Sequence, residues 1–311
     1  MVHGRGQART ARLSSRRVPD EASLLADVDR LIQRVVATLD DPVADALGPI
    51  ASSGSRHRAR MVLTLARGGD RDGAVRGAAA VELLHLGTLV HDDIVDGSPQ
   101  RRHAPTLHVA LGMPVALWTA DALYAEALHL AEAVSAAGGL ALGGALRRIA
   151  DSQVLEALGV TTAHYWDVVD GKTVSLFEAA FELADEAAGG SLPGPVRDAV
   201  RRYGRLFQYV DDLQDIGGEA DALGKPTGLD ADNQLHTLPA ADFVVSGDDV
   251  RARLRELADP IARITSPTPF AAFFTEITDR LLTAAARVLD AAPSPSGRGA
   301  GVSPFRHGAG A

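Results

Sequence analysis

The sequence predicts an all-α protein that folds as a single helical domain over residues 20–290. Apolar residues recur every three or four positions through most of this range, and the alternating pattern typical of half-buried strands is not found in the sequence. Alanine and leucine, both strong helix formers, are abundant, whereas aromatic residues make up only 5% of the chain. Apolar residues reach 46%, which is enough for a sizeable core, and neither a linker nor an internal repeat divides the domain.

The helices are expected in the following order. The first begins after Pro19, where acidic residues suit a helix start, and its apolar positions keep helical spacing at Leu24, Val28, Leu31, Val35 and Leu39. A long apolar helix is predicted from about Gly73 to Val95. Similar periodicity predicts further helices over about 115–135, 140–158, 162–187, 194–216, 248–264 and 268–290. Glycine- and proline-rich stretches predict loops at "DGSPQRRHAPT", at "GGSLPGP" and over 217–239.

The two ends of the chain differ in composition from this domain. Residues 1–19 contain five arginines and no acid, and they lack the apolar stretch of a secretory signal. We expect a disordered basic leader there, although a transit peptide has a similar composition. Residues 291–311 are rich in proline, glycine and serine, which predicts a disordered tail.

Composition also excludes several classes of function. The formal net charge of −9 argues against nucleic-acid binding. Because the chain has no cysteine, disulfides, thiolate catalysis and cysteine-based zinc sites are excluded. No run of 18 apolar residues occurs, so we expect no membrane span and a cytoplasmic protein.

Two aspartate-rich segments, "HDDIVD" and "YVDDLQD", carry the main functional signal. Asp92 and Asp96 are four residues apart, as are Asp211 and Asp215, so each pair lies on one face of a helix. At about 6 Å and an effective dielectric constant near 20, each pair repels by roughly 3 kcal/mol. Solvated acidic patches are the alternative interpretation, but both segments have apolar flanks. A divalent cation would reverse the repulsion, and oxygen ligands that bridge to phosphate suit Mg²⁺.

Basic residues lie near both acidic segments. Arg101 and Arg102 follow the first segment, and the "GKT" and "GKP" sequences supply Lys172 and Lys225. A diphosphate held by Mg²⁺ on one side and by arginine or lysine on the other is consistent with this arrangement. The alternative is that these cations are ordinary surface charge.

These segments resemble motifs of the trans-polyprenyl diphosphate synthase family. "HDDIVDGSPQRR" is similar to its first aspartate-rich motif with the trailing arginine pair, and "FQYVDDLQD" is similar to the second. "GKTVSLFEAA" resembles the helix break of the family at a lysine–threonine pair, and "LGKPTGLD" resembles the segment after the second motif. The resemblance covers about residues 50–240. It implies a helical bundle around a deep central cavity, a homodimer, and condensation of an allylic diphosphate with isopentenyl diphosphate.

The resemblance also implies a role for each matching residue. Three Mg²⁺ ions are expected, two held by Asp92 and Asp96 and the third by Asp211. Three further acids would assist through hydrogen bonds or water: Asp93, Asp212 and Asp215. Three cations would bind the allylic diphosphate: Lys172, Lys225 and Arg101. The oxygens of Thr173 and Gln208 would face the developing carbocation.

The site for isopentenyl diphosphate matches the family less completely. The resemblance assigns three residues to it: Arg58, His85 and Arg102. The segment "SGSRHRA" keeps Arg56 and Arg58, but Ser55 stands where the family has a lysine, and Leu235 aligns with another lysine. Each lost charged contact is worth about 1.5–3 kcal/mol. Transfer of the prenyl group to a non-isoprenoid acceptor is therefore an alternative.

Two further alternatives are weaker. A class I terpene cyclase would need an Asn/Ser/Glu metal triad, and the second aspartate motif occupies its place. A non-catalytic subunit of a heteromeric synthase typically loses one aspartate motif, whereas both are complete here.

Product length depends on what blocks the cavity. Gly87 and Thr88 lie five and four residues before Asp92, about 6–7.5 Å deeper along the same helix. Small residues there predict a deep cavity and geranylgeranyl diphosphate as product, with farnesyl diphosphate and longer chains left open. Alternatively, Gly87 allows two helices to approach closely. The floor would then come from aromatic rings on other helices: Tyr124, Phe177 and Phe181.

Overall fold

The computed structural model describes residues 20–158, 164–217 and 247–291. The first half of the described chain contains α1 (Glu21–Val36), α2 (Asp41–Ala51), α3 (His57–Leu65), α4 (Arg71–Val95), α5 (Leu107–Leu111) and α6 (Met113–Glu132). The second half contains α7 (Ala136–Ala157), α8 (Tyr165–Val169), a π-helical turn (Asp170–Val174), α9 (Ser175–Ala187), α10 (Gly194–Gly217), α11 (Gly247–Thr265) and α12 (Ala271–Ala291). The predicted all-α class is confirmed.

The predicted helices agree with these bounds to within a few residues, with three differences. The helix expected over 162–187 is interrupted by the π turn. Helices α2, α3 and α5 were not predicted. In α2, Pro42, Gly48 and Pro49 are typical of a loop. Pro42 nevertheless lies in the first turn of the helix, where proline is tolerated. Two short strands, β1 (Gln100–Arg101) and β2 (Ala104–Pro105), form an antiparallel hairpin inside the predicted loop.

Helix α4 is the central helix of the fold, packed between α6 on one side and α1, α3 and α9 on others. Most of its side chains are buried, because its sequence is apolar on nearly every face. It is the one described helix whose length and composition would allow it to cross a membrane. However, 78% of the most apolar 18-residue stretch of this helix is buried within the protein, as in the core helix of a bundle.

The contact between α4 and α6 is close at Gly87. A Cβ atom there would lie 2.6 Å from Cε1 of Tyr124 and 3.2 Å from the carbonyl oxygen of Ala120. These contacts support the alternative interpretation of Gly87, in which glycine lets α6 approach closely, and they place the Tyr124 ring directly beside it.

Replacing Gly87 with alanine should therefore destabilise the protein by about 1–3 kcal/mol, because the added methyl group overlaps a packed ring and a backbone oxygen. Chemical denaturation measures this change. The matched control is Gly143→Ala in α7, where the new Cβ would meet only Leu128 Cδ2 at 3.7 Å. That variant should be as stable as the parent or slightly more stable, since alanine favours helix. Equal stability of the two variants would contradict the close-approach interpretation.

Candidate active site

The first aspartate motif lies at the carboxyl end of α4, which a glycine terminates. Gly97 has φ +61°, and the backbone N–H groups of Gly97 and Ser98 donate to the carbonyls of Ile94 and Asp93 at 3.3 and 3.0 Å. This is the Schellman arrangement, which needs a left-handed residue after the helix. Asp92 and Asp93 thus stay on the last helical turn, and Asp96 follows it at the surface.

Asp93 is the buried member of this motif and is paired with Arg101. Its Oδ1 accepts a hydrogen bond from Arg101 Nε at 2.7 Å. The hairpin β1–β2 directs Arg101 back toward α4, because Arg102 and His103 at its turn both have positive φ, as in a type I′ turn. Burial raises the pKa of Asp93, and the charge of Arg101 opposes that rise.

Asp92 faces α7. Its Oδ1 accepts a hydrogen bond from Nε2 of Gln153. Burial raises the pKa of Asp92, while the charges of Lys172 and Arg101 counteract the shift. The ionised form of this carboxylate is therefore stabilised by two positive charges and one hydrogen-bond donor.

The second aspartate motif lies near the end of α10 and is joined to the π turn by a chain of hydrogen bonds. Tyr165 OH donates to Asp212 Oδ2 at 2.7 Å, and Gln208 Nε2 donates to Asp212 Oδ1 at 2.6 Å. Gln208 Oε1 in turn accepts from Thr173 Oγ1 at 2.5 Å. Burial raises the pKa of Asp212 to about 7, although both hydrogen bonds oppose that shift. Asp211 and Asp215 belong to the same helical segment.

Lys172, within the π turn, lies close enough to both motifs to interact with each electrostatically. Its Nζ is 2.9 Å from Glu156 Oε2 on α7. Burial alone would lower the pKa of Lys172, but the carboxylates of Glu156, Asp92 and Asp96 outweigh it and raise the pKa above its ordinary value. Lys172 also lowers the pKa of Asp212 in the second motif. The charge of Lys172 therefore acts on carboxylates of α4, α7 and α10.

Three of the predicted substrate-binding residues line one small pocket: Arg56, His85 and Arg102. Arg56 Nη1 is 3.3 Å from Glu82 Oε2, and Arg102 Nη1 donates to the carbonyl oxygen of Ile50 at 2.8 Å. Burial and the neighbouring arginines hold the pKa of His85 well below its usual value, so this imidazole is neutral at pH 7. The guanidinium groups of Arg56 and Arg102 are thus held in place by a carboxylate and a backbone carbonyl of the protein.

Arg58, the remaining predicted substrate-binding arginine of this group, is buried against aromatic rings. Its guanidinium carbon is 4.8 Å from the ring centre of Phe177 and 5.8 Å from that of Phe207. Within the described residues its Nε has no hydrogen-bond partner, and burial lowers the pKa of Arg58. A buried donor without an acceptor is costly, and an anionic ligand would satisfy it.

The residues expected to control product length lie in different surroundings. Thr88 Oγ1 donates to the carbonyl oxygen of His85 at 2.7 Å, so its side chain is tied to its own helix. Tyr124 OH lies 3.2 Å from Nδ1 of His91. Phe177 and Phe181 are buried in the core. Of the three candidate floor rings, Tyr124 is the one in contact with Gly87.

Sequence reasoning missed several residues of this site. Gln153 and Glu156, one helical turn apart on α7, contact Asp92 and Lys172, and Tyr165 holds Asp212. The three-residue spacing of Gln153 and Glu156 on one face of α7 was the available signal. Lys225 and Leu235 lie outside the described residues.

The donor atoms suit Mg²⁺, a hard cation that prefers oxygen. Among residues 20–158, 164–217 and 247–291, no group of three or more acids or histidines is placed to hold a metal ion without other ligands. Mg²⁺ does not need such a cage, since it usually takes one or two carboxylates and completes its shell with water and substrate phosphate. Burial disfavours the ionised form of Asp92, and a neighbouring cation would stabilise that form.

Comparisons with known proteins find related prenyl diphosphate synthases. The octaprenyl diphosphate synthase of Haemophilus influenzae is 31% identical over 251 residues, which cover 76% of this chain and 76% of that protein. The geranylgeranyl diphosphate synthase of Saccharolobus solfataricus is 37% identical over 179 residues, covering 51% of this chain and 52% of that protein. A crystal structure of a polyprenyl synthase from Caulobacter crescentus, complexed with calcium and isoprenyl diphosphate, is 31% identical, with a TM-score of 0.65 and 87% of each chain covered.

The family model described as polyprenyl synthetase matches residues 41–263, which include both aspartate motifs and the π turn. The chain therefore belongs to the polyprenyl synthetase family and is a prenyltransferase.

Proposed function

We propose that this protein is a Mg²⁺-dependent synthase that condenses an allylic diphosphate with isopentenyl diphosphate, giving a longer all-trans polyprenyl diphosphate. The observation that carries the proposal is the π turn, which is connected to both motifs. Thr173 donates to Gln208, which donates to Asp212 of the second motif. Lys172 pairs with Glu156 on α7, one helical turn from Gln153, which donates to Asp92 of the first motif. Two carboxylate clusters and a lysine around one space are suited to a diphosphate with its metal ions.

Asp92, Asp96 and Asp211 would hold the Mg²⁺ ions, for which we expect a count of three. When bound, the ions neutralise charge that develops on the departing diphosphate. Asp93 and Asp215 would support this set through hydrogen bonds or water.

The protein's own groups would bind the allylic diphosphate and direct its carbocation. Lys172 would bind the diphosphate with Arg101, which Asp93 already orients. Lys225, outside the described residues, would add a third cation. Because Gln208 donates its amide N–H to Asp212, its oxygen points toward Thr173. The oxygens of Gln208 and Thr173 would thus lie near the cation, and the apolar core beyond them would exclude water.

Isopentenyl diphosphate would bind beside this centre. Arg58 supports the assignment with a buried Nε that has no partner among the described residues. Arg102 and neutral His85 line the adjoining pocket, together with Arg56. Ser55 replaces a family lysine, so prenyl transfer to a non-isoprenoid acceptor remains the second candidate function.

We further propose geranylgeranyl diphosphate as the main product. The residues on α4 nearest the first motif, Gly87 and Thr88, are small, and the ring beside them belongs to Tyr124 of α6. Because α4 itself carries no aromatic ring at these two positions, the floor would come from Tyr124 of α6, and we expect a product longer than farnesyl diphosphate.

A homodimer is also proposed, and the outer face of α7 supports it. Exposed residues follow a repeat of four and three positions along this face: Leu140, Gly144, Arg147, Asp151, Val154 and Leu158. Such spacing forms a straight seam for a second helix. Leu140 and Leu158 are each 79% exposed, and Trp118 of α6, 73% exposed, adds to the apolar surface that α6 and α7 leave uncovered.

The seam is complementary to itself. All six positions are symmetric about residue 149, so an antiparallel copy of α7 places Leu140 opposite Leu158 and Arg147 opposite Asp151. A two-fold axis generates this kind of isologous contact. Within one chain, Arg147 and Asp151 form an exposed pair at 2.9 Å, which contributes little and can exchange for the intermolecular pair.

Replacing Asp211 with asparagine should lower kcat by about 100-fold or more, since a ligand of the metal–diphosphate complex is lost. Farnesyl diphosphate, isopentenyl diphosphate and Mg²⁺ are the substrates and cofactor, and product is followed by mass spectrometry. Asp198→Asn, an exposed acid on the same helix, is the control and should keep parental activity. If the parent protein elongates nothing in this mixture, the synthase proposal is wrong and the second candidate function gains support.

Tyr124→Ala should lengthen the product by at least one isoprene unit, because it opens the space beside Gly87. Tyr124→Phe keeps the ring and should leave product length unchanged. Chromatography of the dephosphorylated products distinguishes the two outcomes. Identical product distributions in both variants would show that Tyr124 does not form the floor.

Arg147→Asp should dissociate the dimer, because it places four acids together at the centre of the seam. The double variant Arg147→Asp/Asp151→Arg restores opposite charges in the mirrored arrangement and should dimerise again. Sedimentation velocity reports both states. A dimer that persists unchanged in the single variant would place the interface elsewhere.

A further inference from the structure

The π turn that carries Lys172 and Thr173 is pressed tightly against α7. A Cβ atom at Gly171 would lie 1.7 Å from Ser152 Oγ and 3.0 Å from the carbonyl oxygen of Arg148. Side chains of any size are excluded there, so the turn has no freedom to move toward α7. Its position then depends on what holds it from the opposite side.

The opposite side of the turn is held by α10. A Cβ atom at Gly204 would lie 3.2 Å from Cα of Val174, so the α10 backbone also packs directly on the turn. Arg205, the next residue, donates from Nε and Nη2 to the two carboxylate oxygens of Asp170 at 2.7 and 2.5 Å. Its guanidinium carbon is also 5.4 Å from the ring centre of Trp166, in the helix just before the turn.

Asp170 is the first residue of the π turn, and Lys172 is two residues further on. A bidentate arginine–carboxylate pair restricts orientation as well as distance, which a single contact does not. Arg201 adds only one longer contact to Asp170, at 3.3 Å. Helix α10 also holds the far part of the turn, where Gln208 accepts from Thr173. Arg205 and Gln208 therefore hold two points of the same five-residue turn.

We infer that Arg205 is a positioning residue of the synthase: by holding Asp170 and Trp166 it directs Lys172 and Thr173 toward the allylic diphosphate. The inference rests on the proposed function. π turns are uncommon and often occur at functional sites, and a rotation of this one displaces the Lys172 ammonium group. Displacement of a binding group by about 1 Å is enough to lower activity by up to about 100-fold.

Arg205→Ala tests this directly. We expect KM for farnesyl diphosphate to rise about tenfold, with KM for isopentenyl diphosphate changed by less than about twofold, since only groups on the turn move. Arg205→Lys keeps the charge but loses the bidentate contact, and it should lie between the parent and the alanine variant. A purely structural role would reduce the active fraction and kcat without this selective change in KM.

Arg197→Ala is the matched control. Arg197 lies two turns earlier on α10, pairs with Glu182, and has its guanidinium carbon 5.2 Å from the ring centre of Phe181. It therefore makes the same two kinds of contact away from the π turn. Thermal unfolding should change similarly in both variants, whereas only Arg205→Ala should alter KM for farnesyl diphosphate. Equal KM values in the two variants overturn the inference.

Coupling and binding measurements complete the test. If Arg205 acts mainly through Asp170, the loss in the double variant Arg205→Ala/Asp170→Ala should be clearly smaller than the sum of the two single losses, and additive losses would contradict this route. Calorimetric binding of inorganic pyrophosphate with Mg²⁺ should weaken about tenfold in Arg205→Ala. This readout needs no elongation, so unchanged pyrophosphate affinity refutes the positioning role even if the parent protein fails to elongate.

Discussion

The site depends on buried, closely spaced carboxylates in each of two aspartate-rich segments, and on the ammonium group of Lys172, whose charge offsets their burial in both. Glu156 disfavours the ionised state of Asp92, Asp211 disfavours that of Asp212, and burial raises both pKa values further. Lys172 lowers both pKa values. One lysine cannot neutralise the charge of all these carboxylates. The remaining negative charge would favour metal ions that arrive with a diphosphate.

Close helix packing maintains this arrangement. The central helix α4 is buried along most of its length, and glycines at its contact with α6 and at the contacts of the π turn allow backbones to approach where any side chain would separate them. Ion pairs and hydrogen bonds then hold the functional groups individually: Arg101 by Asp93, Asp92 by Gln153, and Asp212 by Tyr165. Such support reduces the reorganisation needed when substrate binds.

Much of the fold followed from local signals, because hydrophobic periodicity and acid spacing are properties of one helix at a time. The long helix ending near Val95 and the helix carrying Asp211 were predictable for this reason. Pairings between distant segments were not. Nothing near Arg205 in the sequence points to Asp170, and the ring opposite Gly87 comes from another helix. The sequence therefore left two interpretations of Gly87 open, a deep cavity and a close helix contact, because the ring beside it lies on another helix of the same chain.

The hydrogen bond between Tyr124 and His91 has a consequence for how this enzyme changes over evolution. His91 directly precedes Asp92, so the ring that fills the space beside Gly87 also steadies the last turn before the acids. A lineage that altered this ring to release a different isoprenoid would disturb catalysis in the same step. A change of product through position 124 should then favour a compensating substitution at position 91, so such changes should become established more slowly than through an isolated wall residue.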